Sequence, residues 1–259
     1  MDESDPEDTR KMQERLLRFE RESRYLRKDS DQRKVMEEVF DQSTLIAIEE
    51  LVARKDLGDL FGVVNAGKEA RVYYGENRER GPVAVKIYLM SASDFRKRMS
   101  YIAGDRRFGK LPSGSRNTIY LWTRKEFKNL QVAESAGVRV PRPLAFHKNI
   151  IIMEYVGIPP QPAPTFAETE VDEGDYEWTF KTIRKLWKKG GLVHADFSEF
   201  NVFKNGDEQI LFDMGSAVVA SHPQATDFLK RDVANMVRFF RKRGIAGKDA
   251  DSWMEEISK

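Results

Sequence analysis

Three polar side chains in the run "LVHADFSEFNVF", Leu192 to Phe203, are spaced for chemistry: His194, Asp196 and Asn201 interrupt apolar residues that would otherwise read as core. After Asn201 the chain reads "NVF", then the turn "KNGDE", then "QILFD", a hairpin that brings Asp213 across from Asn201. Neighbouring strands lie roughly 5 Å apart. An amide oxygen and a carboxylate at that separation suit Mg²⁺, a hard cation that takes one or two protein oxygens and completes its shell with phosphate and water. Asp196, on the loop upstream, can then point at whatever approaches the phosphates, orient a hydroxyl and accept its proton. His194 reads as a packed structural histidine, and with only His147 and His222 elsewhere a histidine metal site is not supported. The same residues also fit a loop holding a buried Asp–Asn pair.

The other half of a nucleotide site must come from elsewhere in the chain. In "VAVKIY" Val83, Val85 and Ile87 face one side of a strand and Ala84 and Lys86 the other. A lysine beside an alanine can lie over adenine and reach the α- and β-phosphates. Glu126, in the helical run "TRKEFKNL", is the candidate acid that keeps Lys86 in place. "MEYV" ends a buried strand where the adenine edge would bind, through the Glu154 carbonyl and the Val156 amide, with Met153 at the border. "GVVNAGKE", Gly62 to Glu69, has the glycine–lysine spacing of a Walker A loop, but Glu69 stands where Ser or Thr would bind Mg²⁺ and a strand follows instead of a helix. It reads as a strand–turn–strand flap with Lys68 near the phosphates. Asp196, four intervening residues, Asn201, a hairpin and then Asp213-Met214-Gly215 is the protein-kinase order of catalytic loop and metal-binding aspartate.

These groups need two platforms. The chain has 259 residues, 40% of them apolar and 33% charged, with a net charge of +2, which allows two lobes without forcing a nucleic-acid partner. The absence of cysteine excludes disulfides, zinc ribbons and thiol catalysis. The acidic start "MDESDPED" is not a secretory signal, and no run nears the ~18 apolar residues of a spanning helix. The expected protein is therefore cytoplasmic, with no membrane partner. After an acidic tail, Arg10 to Lys28 has a narrow helical stripe (Met12, Leu16, Leu17, Phe19). A second helix, "TLIAIEELVARK", is expected to be capped by the Ser43 hydroxyl and to bury Leu45, Ile46, Ile48, Leu51 and Val52. Strands follow, then the helix "YLWTRKEFKNLQVAESAG" and the buried strand "NIIIMEYVG". The prolines of "PPQPAP" and six acids between Glu168 and Glu177 read as a linker, with helices over Trp178 to Lys189 and Asp227 to about Arg243 beyond it. The fold expected is α+β and two-lobed, protein-kinase-like: a tail and helix over 1–42, a β-rich N-lobe with one embedded helix over 43–157, and an α-rich catalytic C-lobe over 158–259.

With these motifs assembled, the sequence resembles the RIO family of atypical protein kinases, in its type-one branch. "NAGKEARVY" looks like the family's phosphate loop, "LVHADFSEFNV" its catalytic loop, and "SHPQATDFLKRDVANMVRFF" its C-terminal segment. The resemblance implies an autophosphorylating, ATP-dependent serine/threonine kinase or ATPase, using Mg²⁺ (or Mn²⁺) and acting in maturation of the small ribosomal subunit. It assigns Lys86 and Asp196 to catalysis, Asn201 and Asp213 to the metal. Compact size suits an archaeal version. Asn65-Ala66 replaces the family's Ser-Thr, and no Ala-Pro-Glu segment follows Asp213, so the usual peptide-docking platform is missing, as in the family.

The basic segment 94–116, with Arg96, Lys97, Arg98, Arg106, Arg107 and Lys110, is the expected contact to rRNA phosphates on a pre-ribosomal particle, or else a solvated charged loop. Its serines, Ser93, Ser100, Ser113 and Ser115, are candidate autophosphorylation targets. The rival readings are a kinase whose main task is a separate protein, a nucleotide-dependent pre-ribosome binding factor with incidental catalysis, and a small-molecule kinase of aminoglycoside phosphotransferase type. The last would want an acidic substrate pocket, whereas the C-terminal helices are basic.

Overall fold

The computed structural model describes residues 40–90, 100–105, 107–108 and 114–259. The helix expected over Arg10 to Lys28 lies outside them. The chain divides into two compact units, one taking the stretch up to Ala92 plus Leu144–Pro162, the other Ser93–Pro143 and Ala163–Lys259. The architecture is α+β, with a sheet-bearing first unit and a mainly helical second unit.

The first unit is built on a five-stranded sheet of spatial order β1-β2-β3-β5-β4, formed by β1 Asp59–Ala66, β2 Ala70–Asn77, β3 Gly81–Tyr88, β4 Pro143–His147 and β5 Ile150–Glu154. Helix α1, Gln42–Ala53, supplies the other half of its core: Ala47, Ile48 and Leu51 pack with Leu60, Val63, Val83, Val85, Ile87, Ile150 and Ile152. The buried stripe is Thr44, Ala47, Ile48 and Leu51, spaced i, i+3, i+4, i+7, which is narrower than the sequence suggests and leaves Ile46 and Val52 exposed. The cap is Asp41, not Ser43. The Asp41 carboxylate accepts from the backbone N–H of Ser43 at 3.0 Å and of Thr44 at 3.3 Å, while the Ser43 hydroxyl donates to it. One residue before the helix, a carboxylate reaches both orphan amides; a side chain already inside the first turn points away from them. Asn149 ties α1 to the sheet, donating to Thr44 Oγ1 at 2.9 Å and to the Tyr88 carbonyl at 2.8 Å.

In the second unit, α2 Ser115–Ser135, α3 Glu173–Lys185, α4 Ala225–Lys242 and α5 Ala250–Ser258 carry an aromatic core. Phe180 stacks on Trp253 at 4.4 Å, and the Trp253 indole donates to the Tyr176 hydroxyl at 2.6 Å. At the end of the first unit, the prolines expected in a linker form the short hairpin β6 Gly157–Ile158 with β7 Gln161–Pro162. The acidic run has a different fate from a linker. Asp172 caps α3 in a reciprocal box with Asp175, so the helix begins at Glu173, before the expected Trp178. Asp175 is fully buried and accepts from Lys204 at 2.7 Å and from Gln209 at 2.8 Å. Acids concentrate there because a helix N-terminus favours negative charge.

Candidate active site

Four short strands of the second unit bracket the chemistry. β8 Leu192–Val193 pairs with β11 Val218–Val219, and β9 Val202–Asn205 pairs with β10 Glu208–Leu211. The loop with Asp196 connects β8 to β9, and the turn with Asp213 connects β10 to β11. Both loops therefore leave and return through the same two ladders, which is what brings residues from one beside the other. The hairpin turn is Gly206-Asp207, with Gly206 at φ 62°, a left-handed conformation that glycine adopts without a Cβ clash. Its register places Phe212 opposite Asn201, the Phe212 N–H donating to the Asn201 carbonyl at 2.9 Å. Asp213 is thus one residue past Asn201 rather than directly across, because the turn is centred between Gly206 and Asp207.

Around Asp196 the backbone is fixed from both sides while the carboxylate faces outward. Asp232 on α4 accepts from the N–H of Ala195 at 2.8 Å and of Phe197 at 3.0 Å. Arg231, its neighbour, donates to the Ala195 carbonyl. Ala195 has φ 64°, a conformation costing a non-glycine residue roughly 1–2 kcal/mol, held by these bonds. Asn201 donates its side-chain N–H to the Asp196 carbonyl at 2.9 Å, which leaves its amide oxygen as the atom suited to a cation. His194 is buried, and its Nε2 donates to the Phe212 carbonyl at 3.1 Å; it links the two loops structurally. Asp232 is itself nearly inaccessible, and burial pushes its carboxyl up to about 6, against the pull of His194 and of the two backbone amides.

The Asp213 turn is held by α2. Lys125 donates to the carbonyls of Gly215 at 2.7 Å and Ala217 at 2.5 Å, and Asn129 to those of Met214 and Ala217, both at 2.9 Å. Both side chains are fully buried. Asp213 has φ 56° and an exposed side chain. Asn201 and Asp213 present only oxygen donors outward, a set that fits Mg²⁺ with phosphate and water completing the shell. Among the described residues no cluster of three or more His, Cys, Asp or Glu side chains forms a closed metal cage.

In the first unit, Val83, Val85 and Ile87 face the core with α1, and Ala84 and Lys86 face the other side of β3. Ala84 pairs with Met153 and Lys86 with Ile151, so Met153 shares the Lys86 face. Lys86 is buried, with its ammonium 5.2 Å from the Tyr88 ring centroid. Lys68 is exposed at the β1–β2 turn, which Gly67 closes by donating its N–H to the Ala70 carbonyl at 3.0 Å. Glu154, the last residue of β5, is half-buried, and Val156 just beyond it is buried. Glu126 is buried on α2, in the second unit. Of the basic segment, Arg96, Lys97, Arg98, Arg106 and Lys110, with Ser93 and Ser113, lie outside the described residues. Arg107 is inside, bonded to Asp105 at 2.7 Å and to the Asn129 amide oxygen at 2.8 Å.

Sequence reasoning missed Lys125, Asn129, Arg231 and Asp232. A signal existed: in "WTRKEFKNL" and "FLKRDVANM" polar residues fall within the apolar stripe of an amphipathic helix, where only a paired group can be buried.

A family profile described as the RIO domain matches residues 71–253. The RIO-type serine/threonine-protein kinase Rio1 of Haloferax volcanii is 40% identical over 233 residues, spanning 89% of this chain and 80% of that protein. Rio1 of Methanocaldococcus jannaschii is 36% identical over 223 residues, spanning 85% and 76%. Among solved structures, the Rio2 kinase of Chaetomium thermophilum, crystallised as an ADP/Mg²⁺-phosphoaspartate complex, aligns with a TM-score of 0.63 at 23% identity, covering 82% of this chain and 66% of that one. No helix among the described residues is long and apolar enough to cross a membrane. Catalytic-loop order, the α+β architecture and relatives of 40% identity agree, and the chain belongs to the RIO family.

Proposed function

We propose that the protein is a Mg²⁺·ATP-dependent serine/threonine protein kinase that phosphorylates itself, with ATP hydrolysis as a companion activity. The observation that carries this reading is the clamped backbone from Ala195 to Phe197, which fixes Asp196 while leaving its carboxylate exposed. Such a carboxylate can align a seryl hydroxyl or a water and take its proton. The oxygen then bonds to the γ-phosphorus, the bond from that phosphorus to the β–γ bridging oxygen breaks, and ADP leaves with the electron pair. Lys86 neutralises the α- and β-phosphates, with Glu126 as the acid that keeps it in place and Lys68 adding charge from the flap. Met153, Glu154 and Val156 take the adenine edge. Asn201 and Asp213 would hold Mg²⁺, which when bound supplies charge neutralisation at the phosphates.

We infer that the setting is the maturing small ribosomal subunit in the cytoplasm, on the strength of the family resemblance and the basic segment 94–116. Single-turnover incubation with γ-labelled ATP and Mg²⁺ tests the chemistry. Label on a serine of the chain, or released as phosphate, is the expected result. Nucleotide bound and recovered unchanged would favour a pre-ribosome binding factor with incidental catalysis.

A further inference from the structure

The turn that carries Asp213 takes much of its bonding from outside its own segment. Between β10 and β11 the local backbone bond is Ala217 N–H to the Met214 carbonyl, at a long 3.3 Å. Asp213 adopts a left-handed conformation without being glycine. Met214 and Ala217 are fully buried, so their carbonyls need partners away from water. Those partners come from α2. Lys125 takes Gly215 and Ala217, and Asn129 takes Met214 and Ala217, across 85 to 92 residues of sequence.

The anchor is polar because the buried carbonyls of the turn need donors, which an apolar side chain could not supply. Trp122, Lys125 and Asn129 recur at helical spacing on one face of α2, and the Lys125 ammonium lies 4.9 Å from the Trp122 ring centroid. A buried ammonium is retained only where several dipoles stabilise it. Here the carbonyls of the Asp213 turn provide them. Asn129 is oriented in turn: Arg107 donates to its amide oxygen at 2.8 Å, which commits the amide N–H groups to the turn, and Asp105 fixes Arg107 through a pair at 2.7 Å. Asp105, Arg107, Asn129 and the turn form one continuous chain of bonds.

We propose that Lys125 and Asn129 are positioning residues for the metal: they hold the Asp213 turn in the one conformation that presents its carboxylate to Mg²⁺, and Arg107 sets the Asn129 amide for that task. This rests on Asp213 being the metal ligand. It also gives Arg107, within the basic segment, a role in shaping the metal site.

The test is calorimetric titration of the full chain with ADP, with and without Mg²⁺, which reads the metal's contribution without turnover. Wild type should gain affinity with Mg²⁺, and Asp213→Ala should lose that gain. Lys125→Met, similar in length and without donors, should lose at least about tenfold of the Mg²⁺-dependent gain while metal-free ADP affinity stays within about twofold. Asn129→Leu should do the same, and Arg107→Gln should show the same direction at about threefold. Asp213→Ala retaining the gain would overturn the metal assignment under the proposed function. Asp213→Ala losing it while folded Lys125→Met and Asn129→Leu keep it would overturn this inference alone. Equal loss of metal-free and metal-bound affinity in these variants would assign them to general structure and likewise overturn it. If Lys125→Met does not fold, Asn129→Leu and Arg107→Gln decide, and wild-type Mg²⁺ dependence in both counts against the proposal.

Discussion

The β1–β5 sheet with α1 and the loop pair around Asp196 and Asp213 are held together by different physics. In the first, Lys86 rides on a regular strand whose opposite face is sealed by Ile48, Leu51, Val83, Val85 and Ile152. Its position follows from strand register and apolar packing. In the second, Asp196 and Asp213 sit on irregular segments, and their positions follow from buried polar side chains: Asp232 under the first loop, Lys125 and Asn129 under the second. A sheet core tolerates the loss of a methyl group by partial collapse. A loop held by four or five directed bonds loses its geometry when one donor is removed. Distant substitutions in the second unit should therefore disturb chemistry, and those in the first mainly stability.

The largest effect should come from Asp232→Ala. Two buried amides lose their acceptor and Arg231 its companion, at about 3–5 kcal/mol of stability, and phosphoryl transfer should fall at least about 100-fold through misplacement of Asp196. Chemical denaturation and single-turnover rates check both. The same residue sets a pH dependence. Unfolded, its carboxyl ionises near 3.8; folded, near about 6, so the folded chain holds the proton longer. Its contribution to stability is full below the unfolded value and is lost as pH rises through the folded one, roughly 3 kcal/mol in all. The difference in unfolding free energy between wild type and Asp232→Asn should fall across that window, and a flat difference would contradict the assignment.

Part of this was legible in the sequence, and the division follows the same contrast. Lys86 was readable because a period of two marks which side of a strand is core. Asp196 and Asn201 stand out as candidates because polar residues at fixed spacing in an apolar run need a purpose, and the structure places them on one loop, joined by the Asn201 side chain's bond to the Asp196 carbonyl. Asp232, Lys125 and Asn129 were not singled out, since their partners lie dozens of residues away and only folding reveals which carbonyls need donors. Charge composition misled at Asp172 and Asp175, where acids that read as part of a linker make a helix cap and a buried pair with Lys204.

Leu51→Ala should cost about 2–5 kcal/mol by leaving a cavity in the first unit's core, with Mg²⁺ dependence of ADP binding unchanged. A changed metal dependence would blur the contrast drawn above. Asp41→Ala should cost least, about 1 kcal/mol, by uncapping α1; the bonds from Ser43 and Thr44 outweigh burial and hold its carboxyl below the ordinary value. A midpoint shift on chemical denaturation measures it, and the shift should shrink as pH falls and the wild-type carboxylate takes up its proton.

The most direct test of the proposed chemistry is the single-turnover rate of transfer from γ-labelled ATP by Asp196→Asn, beside calorimetric ADP·Mg²⁺ affinity for the same variant. The substitution keeps size and shape while removing the proton acceptor. The rate should fall by about 10²- to 10⁴-fold, with affinity within a few-fold of wild type. Transfer at the wild-type rate would show that the exposed carboxylate at Asp196 is not the group that handles the proton.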